Sequence, residues 1–165
     1  MDIDLGMLLV RLALGPMLFV HGWNKLAGAG GIQGTTRWFD GLGLRPARLH
    51  ARLAAATELG AGVFVTVGLF TGLASTAFVG LMAVATLTDH RGKGYFIFRG
   101  GWEYTLLIGT VAVGLAAAGP GAWSLDALLR LDLAGALWAG VAVVGGVGAA
   151  GVLLVSSYRP AAVAD

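Results

Sequence analysis

The chain contains no cysteine, which excludes disulfide bonds, thiolate nucleophiles, CxxC redox motifs and cysteine-ligated metals. Charged residues are also scarce, at 12% of 165 residues, against about a quarter in soluble domains. Hydrophobic residues make up 57% and the mean hydropathy is +0.80, so a soluble domain and a disordered chain are both excluded. The net charge of +2 is small and its basic residues lie between apolar runs, which argues against nucleic acid as a partner.

Histidine is nearly as scarce, and the three copies, His21, His50 and His90, do not occur at a helical ligand spacing. A haem bound by His21 and His90 would need ligands from two helices at unequal depths. We therefore expect no metal and no covalently bound cofactor. Without cysteine or a haem pair, the chain alone has no group that carries electrons.

Long apolar runs dominate the rest of the sequence, and roughly 20 such residues cross the hydrocarbon core of a bilayer. Five segments approach that length: Asp4–Ala27, Leu53–Phe70, Gly72–Thr88, Trp102–Ala118 and Leu133–Ser156. The residues before the first segment lack the basic stretch of a secretory signal, so we interpret this segment as a retained helix. The sequence therefore predicts an all-α, polytopic membrane helix bundle with four core helices and a fifth transmembrane helix. The uncharged link Thr71–Ala74 predicts that the second and third helices form a tight antiparallel pair.

Positive charges predict the orientation of this bundle. Nine of the eleven Lys and Arg residues fall on one side, in the loop after the first helix, the loop between the third and fourth helices, and the carboxy-terminal tail. Arg130 lies on the other side, and Arg11 lies within the first helix. The positive-inside rule therefore places these loops and the C-terminus in the cytoplasm and the N-terminus outside.

Both predicted cytoplasmic loops carry aromatic residues. The stretch Thr36–Pro46 is amphipathic, and Trp38, Phe39 and Leu42 are expected in the headgroup region. The other loop holds a second aromatic cluster: Tyr95, Phe96, Phe98 and Trp102. Anchoring at the membrane interface is one interpretation of these residues, and stacking on a substrate is the other.

The informative residues are the ionisable ones at membrane depth, because charges there normally face the bundle or water and are paired. His21 and Glu58 each lie about six residues, or roughly 9 Å, from the cytoplasmic ends of their helices, so they are expected at one level. Lys25 lies one turn from His21 on the same face. These three residues and their neighbours at the cytoplasmic interface are expected to converge on the cytoplasmic half of the bundle. The full set is His21, Lys25, Glu58, Asp89, His90 and Glu103.

Two interpretations of this cluster remain open. In the first, it is a structural network that fixes the register of the helices, with Lys25 offsetting a carboxylate. In the second, it lines a pocket in the inner leaflet, where Glu58 and His21 exchange protons with a bound head group such as a quinone.

Arg11 stands apart, in the outer half of the first helix. Asp4 lies on the same face, and Asp126 or Asp132 is expected to reach Arg11 from the outer loop. Arg11 is either an anchor that extends toward the outer interface or a residue that binds an anionic group from outside.

The chain after the fourth predicted helix contains a short amphipathic segment and a glycine-rich span. Ser124 or Asp126 is expected to cap the segment Leu125–Leu131. In the fifth helix Gly146 and Ala150 have small-xxx-small spacing, which predicts either internal packing or homodimerisation.

Together these features resemble the DoxX family of small membrane proteins. The resemblance covers about residues 5–128. It is carried by Arg11, Phe19-Val-His-Gly-Trp-Asn-Lys-Leu26, Glu58-Leu-Gly-Ala-Gly62, Gly68-Leu-Phe-Thr71, Glu103-Tyr104 and Gly119-Pro-Gly-Ala-Trp-Ser-Leu-Asp126.

The resemblance implies a four-helix DoxX-like bundle over residues 1–130 in the plasma (inner) membrane of a bacterium. The segment 131–165, with its glycine-rich helix and short cytoplasmic tail, goes beyond the family pattern. Carried over by position, the candidate ligand-binding or proton-exchange residues are His21, Lys25, Glu58, Glu103, Tyr104 and Arg11.

Members of the family resemble the membrane subunit of a thiosulfate:quinone oxidoreductase. The resemblance therefore implies a membrane subunit or scaffold of a redox complex, linked to quinone or to oxidative stress, without a cofactor of its own. Expected partners are membrane lipid, a quinone, soluble redox enzymes at the cytoplasmic loops and a second copy of the chain bound through the fifth helix. The alternative is a small-solute transporter or lipid-binding module that uses the same pocket without redox activity.

Overall fold

The computed structural model describes residues 2–160, and this part of the chain is entirely helical, as predicted. Its seven α-helices are α1 (Asp2–Ala27), α2 (Gly31–Leu42), α3 (Ala47–Val67), α4 (Thr71–Leu87), α5 (Glu103–Ala118), α6 (Leu125–Leu129) and α7 (Ala136–Ser157). A 3-10 turn covers Ile97–Arg99. Each of the five predicted spans corresponds to one long helix. Met1 and residues 161–165 of the predicted cytoplasmic tail lie outside the described residues.

Two of these helices, α1 with 26 residues and α7 with 22, are long and apolar enough to cross a membrane. The helices α4 and α5 are apolar but have only 17 and 16 residues, about 25 Å at 1.5 Å per residue. The length of α3 is sufficient, but Arg48, Arg52 and Glu58 lower its hydropathy. Five membrane spans therefore remain a prediction. The outside of the bundle is rich in apolar side chains, such as Leu137 and Val144, which are 75% and 74% exposed.

The turn between α3 and α4 lies earlier than predicted. Gly68 ends α3 in the left-handed conformation, with a φ of 65°, which favours glycine. The carboxylate of Asp126 accepts hydrogen bonds from the backbone N–H groups of Phe70 and Thr71, at 2.7 and 2.9 Å. These bonds satisfy donors at the start of α4, so the helix begins at Thr71. The prediction that Thr71–Ala74 is the link is wrong, because these residues form the first turn of α4.

The region between α1 and α3 contains a helix, and α3 begins earlier than its apolar pattern predicts. The helix α2 begins at Gly31, and α3 begins at Ala47 instead of Leu53. Ala47 and Ala51 are buried against Phe39 of α2, which makes the charged first turns of α3 part of a second small core. The amphipathic stretch after α1 is therefore a twelve-residue helix packed on α3.

The long helices pack in two groups. The first group is α1 and α3, whose backbones approach closely at glycine: a Cβ on Gly62 would lie 2.7 Å from the backbone nitrogen of Phe19. The second group is α4, α5 and α7, and it joins the first mainly where α3 meets α4. Buried side chains such as Leu18, Phe78 and Leu115 fill the main core between the groups.

The fifth long helix, α7, is an integral part of this bundle. A Cβ on Gly146 would lie 2.8 Å from the carbonyl oxygen of Thr76 and 2.9 Å from the nitrogen of Gly80, so the small-residue face of α7 packs on α4. Internal packing, one of the two interpretations of Gly146 and Ala150, is therefore observed. Homodimerisation through α7 stays a prediction, and it would have to use the exposed face that contains Val144.

Two backbone hydrogen bonds join the end of α7 to the loop between α2 and α3. The N–H of Arg45 donates to the carbonyl of Ser157 at 2.8 Å, and the N–H of Arg159 donates to the carbonyl of Gly43 at 2.7 Å. These bonds flank an isolated antiparallel bridge, which we call the α7 clasp. The clasp connects the two helix groups at the end of the bundle opposite the α3–α4 turn.

Candidate functional site

A cavity of about 730 Å³ lies between the two helix groups, toward the C-termini of α1, α4 and α7 and the N-termini of α3 and α5. Side chains from α1, α2, α3, α4, α5 and α7 form its wall. Most of this wall is apolar, and it includes Leu18, Phe39, Leu81 and Leu153. A cavity of this volume with apolar walls and a few polar groups is typical of a small-molecule site.

An ion pair between α1 and α3 is the main polar feature of the wall. Lys25 Nζ lies 2.7 Å from both Oε1 and Oε2 of Glu58. The two side chains are only 12% and 10% exposed, so the pair is largely removed from solvent. Lys25 Nζ also lies 5.9 Å from the ring centre of Trp38, within the range of a cation–π contact. The wall therefore presents one shielded, neutralised pair of charges to the cavity.

Close packing of α1 on α3 positions this pair. A Cβ on Gly22 would lie 2.9 Å from the backbone nitrogen of Leu59 and 3.0 Å from the carbonyl oxygen of Ala55. A side chain at Gly22 would therefore push the two helices apart. Lys25 follows Gly22 by about one turn, and Glu58 precedes Leu59, so the contact between the two backbones brings the charged groups together.

His21 lines the same cavity one turn before Lys25, as the helical spacing predicts. Its side chain is exposed, whereas Glu58 is buried, and it interacts electrostatically with the Glu58 carboxylate. The structure thus brings His21, Lys25 and Glu58 to one wall.

Polar residues of α5 and of the segment after α4 line the opposite wall. Tyr104 of α5 donates its hydroxyl hydrogen to Sδ of Met17 in α1, which links the two helix groups. His90 Nδ1 lies 2.6 Å from the carbonyl oxygen of Gly100 and donates a hydrogen bond to it. Asp89 forms an ion pair with Lys93 at 3.5 Å. Of the predicted polar residues, Tyr104, His90 and Asp89 therefore face the cavity from the side opposite Glu58.

Glu103 is not part of the cavity wall, although it neighbours Tyr104 in sequence. Its Oε2 accepts a hydrogen bond from the backbone N–H of Ile97 at 3.0 Å, and this bond holds the 3-10 turn against the start of α5. We therefore interpret Glu103 as a residue that shapes the loop beside the cavity.

Arg11 also lies away from the cavity, in a polar cluster at the opposite end of the bundle. It is 1% exposed, and its guanidinium donates to the carbonyl of Thr66 at 2.9 Å and to the carbonyl of Trp123. The guanidinium interacts electrostatically with Asp126, as predicted, but its hydrogen bonds go to backbone carbonyls. We call Arg11, Asp126 and the backbone groups that they bind the Arg11 cluster. Neither expected role of Arg11, outward anchor or outer anion site, matches a side chain this enclosed.

The short helix α6 carries Asp126 into this cluster. The hydroxyl of Ser124 accepts a hydrogen bond from the N–H of Ala127 at 3.2 Å, so Ser124 caps α6 as one of the two expected caps. Asp126 instead supports the start of α4. The backbone N–H of Asp126 also donates to the carbonyl of Gly68 at 2.8 Å, which fixes α6 against the α3–α4 turn.

Sequence reasoning missed His50 as a residue of the cavity wall. It is 7% exposed, and its Nε2 lies 3.1 Å from the carbonyl oxygen of Arg45. If that nitrogen carries the hydrogen, Nδ1 is an acceptor, and within residues 2–160 it has no hydrogen-bond partner. His50, Ala54 and Glu58 recur every four residues on α3, so helical periodicity alone was a usable signal.

The two aromatic groups differ in their relation to the cavity. Trp38 and Phe39, expected among lipid head groups, both line the cavity, and Phe39 is buried. The other cluster lies on an exposed loop, where the ring of Tyr95 packs edge-on against Trp102 at 5.0 Å. Phe98 in this loop is 76% exposed, which suits an interface anchor better than a substrate contact.

Over residues 2–160, no group of three or more His, Asp or Glu side chains converges to hold a metal ion. The fold and the site together define a small helical membrane protein whose main cavity is apolar and carries one buried ion pair. More specifically, the chain belongs to the DoxX family, whose model matches residues 6–91 and thus α1 to α4.

A relative from Bacillus subtilis (strain 168), described as "Putative oxidoreductase CatD", is 31% identical over 112 residues. The aligned region covers 68% of this chain and 79% of the relative. No solved structure matches the chain. Tyr104 and Glu103 lie beyond the residues that the family model matches, whereas His21, Lys25 and Glu58 lie within them.

Proposed function

We propose that this DoxX-type protein is a membrane subunit or scaffold of a redox complex and that its cavity binds a quinone head group. The buried pair of Lys25 and Glu58 in the wall of the large apolar cavity is the observation that carries this proposal. A charged pair at membrane depth is costly, and it normally marks a site that binds ligands or exchanges protons. The oxidoreductase description of the relative from Bacillus subtilis supports the redox part of the proposal.

The residues of the cavity fit a quinone head group. A flat ring with two carbonyl oxygens needs apolar walls and hydrogen-bond donors, and Lys25, His21 and Tyr104 are donors on facing walls. Reduction of a quinone head group at this site would need electrons and protons together. Glu58 and His21 are then the groups that would pass protons to the head group.

The electrons would come from a soluble partner enzyme on the cytoplasmic side. Exposed basic residues gather at the end of the bundle that contains the cavity: Arg37, Arg48, Arg52, Arg91, Arg99 and Arg159. A concentrated positive surface of this kind attracts an acidic protein face and speeds its docking.

The proposal includes the topology in the membrane. The four-helix core and α7 would cross the plasma membrane of a bacterium as five spans, with the N-terminus outside and the C-terminus in the cytoplasm. The same basic residues support this orientation through the positive-inside rule. The short helices α4 and α5 fit a bilayer that thins locally around them.

Quinone binding in nanodiscs tests the proposal. A short-chain ubiquinone is titrated against the wild type, Glu58→Gln, Lys25→Met and the matched control Asp132→Asn, which removes an exposed carboxylate at the other end. We expect Kd to rise about tenfold in the two cavity variants, the effect of losing one charge-assisted contact, and to stay unchanged in the control. Absence of binding to the wild type, or equal binding by all four proteins, would contradict the proposal.

The Arg11 cluster supports ligand binding over the transport of a small solute. A transported solute would have to leave through the end where Arg11 is 1% exposed and hydrogen-bonded to two carbonyls. We therefore expect purified protein in liposomes to show no solute uptake above empty liposomes. Uptake that Glu58→Gln abolishes would favour the transporter instead.

A further inference from the structure

A second apolar groove, of about 410 Å³, lies along the outer face of α3 and α4. Thr57, Leu73 and Ala77 line both this groove and the main cavity, so the two spaces share a border. The groove leads from that border along the membrane-facing surface toward the α3–α4 turn. It therefore continues the cavity sideways, in the direction of the lipid.

The shape of the groove suits a hydrocarbon chain. From Thr57 to Phe64 it follows α3 for about 10 Å at the usual helical rise. At Gly60 no atom lies within 4 Å of the position that a Cβ would take, so the channel is open at its middle. The rings of Phe64 and Phe70 meet edge to face at 5.9 Å and close the far end.

The polar groups that would hold a ligand lie on the cavity side of the border. There the cavity has the buried Lys25–Glu58 pair and His50, which is more than nine-tenths buried and has an unpartnered Nδ1 within residues 2–160. Among the described residues that line the groove, Thr57 at the border alone has a polar side chain. This division into a polar head region and an apolar side channel matches an amphipathic molecule.

We propose that the ligand of the cavity carries a long hydrocarbon chain, which passes between α3 and α4 at Thr57 and lies in the groove beside Gly60. The inference rests on the proposed function for the head group. A ligand without such a chain would leave the groove unused. A chain that follows this path reaches the lipid without crossing the main core of the bundle.

Gly60→Leu tests this inference, because it adds a side chain at the open middle of the groove, where the Cβ position has free space around it. Gly114→Leu is the matched control: it makes the same change at an exposed site on α5, also with no atom within 4 Å of its Cβ. Two ubiquinones with the same head group, one with a decyl chain and one with a short chain, are titrated against both variants and the wild type. All proteins are measured in identical nanodiscs, so partition of each probe into lipid cancels.

We expect Gly60→Leu to raise the Kd of the decyl probe about tenfold and to leave the short probe unchanged. Gly114→Leu should change neither value. Equal loss of both probes in Gly60→Leu, or unchanged binding of the decyl probe, would overturn the inference. If neither probe binds the wild type, the quinone assignment fails, and a second measurement decides about the groove.

That second measurement is native mass spectrometry of lipids retained from the host membrane, which does not depend on a quinone head group. A chain-bearing molecule held by the wild type and Gly114→Leu but lost from Gly60→Leu would support the groove. Equal retention by the three proteins, or no retained chain-bearing molecule in any of them, would overturn it.

Discussion

Arg11 and Lys25 are two cations of α1 that lie beside α3 and are largely shielded from solvent, yet their surroundings differ. Arg11 is enclosed by a packed turn and bonds to carbonyl groups of Thr66 and Trp123. Lys25 bonds to the carboxylate of Glu58 and borders a cavity. Burial of a charge inside the helix bundle therefore does not by itself identify a ligand site. An adjoining cavity and a direct bond to a carboxylate distinguish Lys25 from Arg11.

Replacing Arg11 should have the largest effect on stability. Arg11→Met leaves the carbonyls of Thr66 and Trp123 without their donor and the buried Asp126 without its counter-charge. We expect a loss of about 3 kcal/mol in unfolding free energy. The measurement is denaturant unfolding in detergent micelles, monitored by helical circular dichroism. Quinone affinity of the fraction that remains folded should be unchanged. A loss of quinone affinity in a fully folded Arg11→Met protein would show that the Arg11 cluster also contributes to ligand binding. The contrast drawn between Arg11 and Lys25 would then be wrong.

Replacing Lys25 should have a smaller effect on stability and a larger one on binding. Lys25→Met leaves the Glu58 carboxylate largely out of solvent and without its cationic partner. We therefore expect the unfolding free energy to fall by about 2 kcal/mol. In the double variant Lys25→Met with Glu58→Leu, the unfolding free energy should return to within about 1 kcal/mol of the wild-type value, because no unpaired charge remains. The quinone Kd of this double variant should stay at least about tenfold above that of the wild type. A double variant that binds quinone normally would reduce the pair to a structural role.

Asp126→Asn tests how much the carboxylate charge of Asp126 stabilises the Arg11 cluster. The amide keeps one oxygen acceptor for the N–H groups of Phe70 and Thr71 but loses the charge that favours a helix start, so a loss of about 1 kcal/mol is expected. Ser124→Ala removes only the cap of α6. Thermal unfolding of both variants would therefore separate the contribution of the Asp126 charge at the start of α4 from that of the α6 cap. A neutral result for Asp126→Asn would show that the carboxylate charge contributes little to the Arg11 cluster.

The smallest change in stability is expected for His21→Gln. The exposed side chain of His21 makes no hydrogen bond among the described residues, so unfolding free energy should stay within about 0.5 kcal/mol of the wild type. Quinone binding should weaken several-fold, because the imidazole that faces the cavity is lost. Quinone affinity equal to that of the wild type would remove His21 from the ligand-binding role.

The convergence of His21, Lys25 and Glu58 was predictable, because helix rise and a common interface fix their depth. The hydrogen-bond partners of Arg11 were not predictable. They are backbone carbonyls at turns, and a hydropathy pattern carries no information about the geometry of turns. The same reason explains the early start of α3 at Ala47, where burial of small residues outweighs the charges beside them. Adjacent residues on a helix point in different directions, so Tyr104 lines the cavity and Glu103 does not.

The α7 clasp has a consequence for the order in which the protein is made. It pairs Leu44, near the first quarter of the chain, with Tyr158, near its end, and Leu153 completes the cavity wall just before it. Lys25 and Glu58 precede that part of the wall in the order of synthesis. The cavity therefore stays open on one side until α7 packs on α4, and a chain truncated before α7 would have Lys25 and Glu58 without a closed cavity beside them.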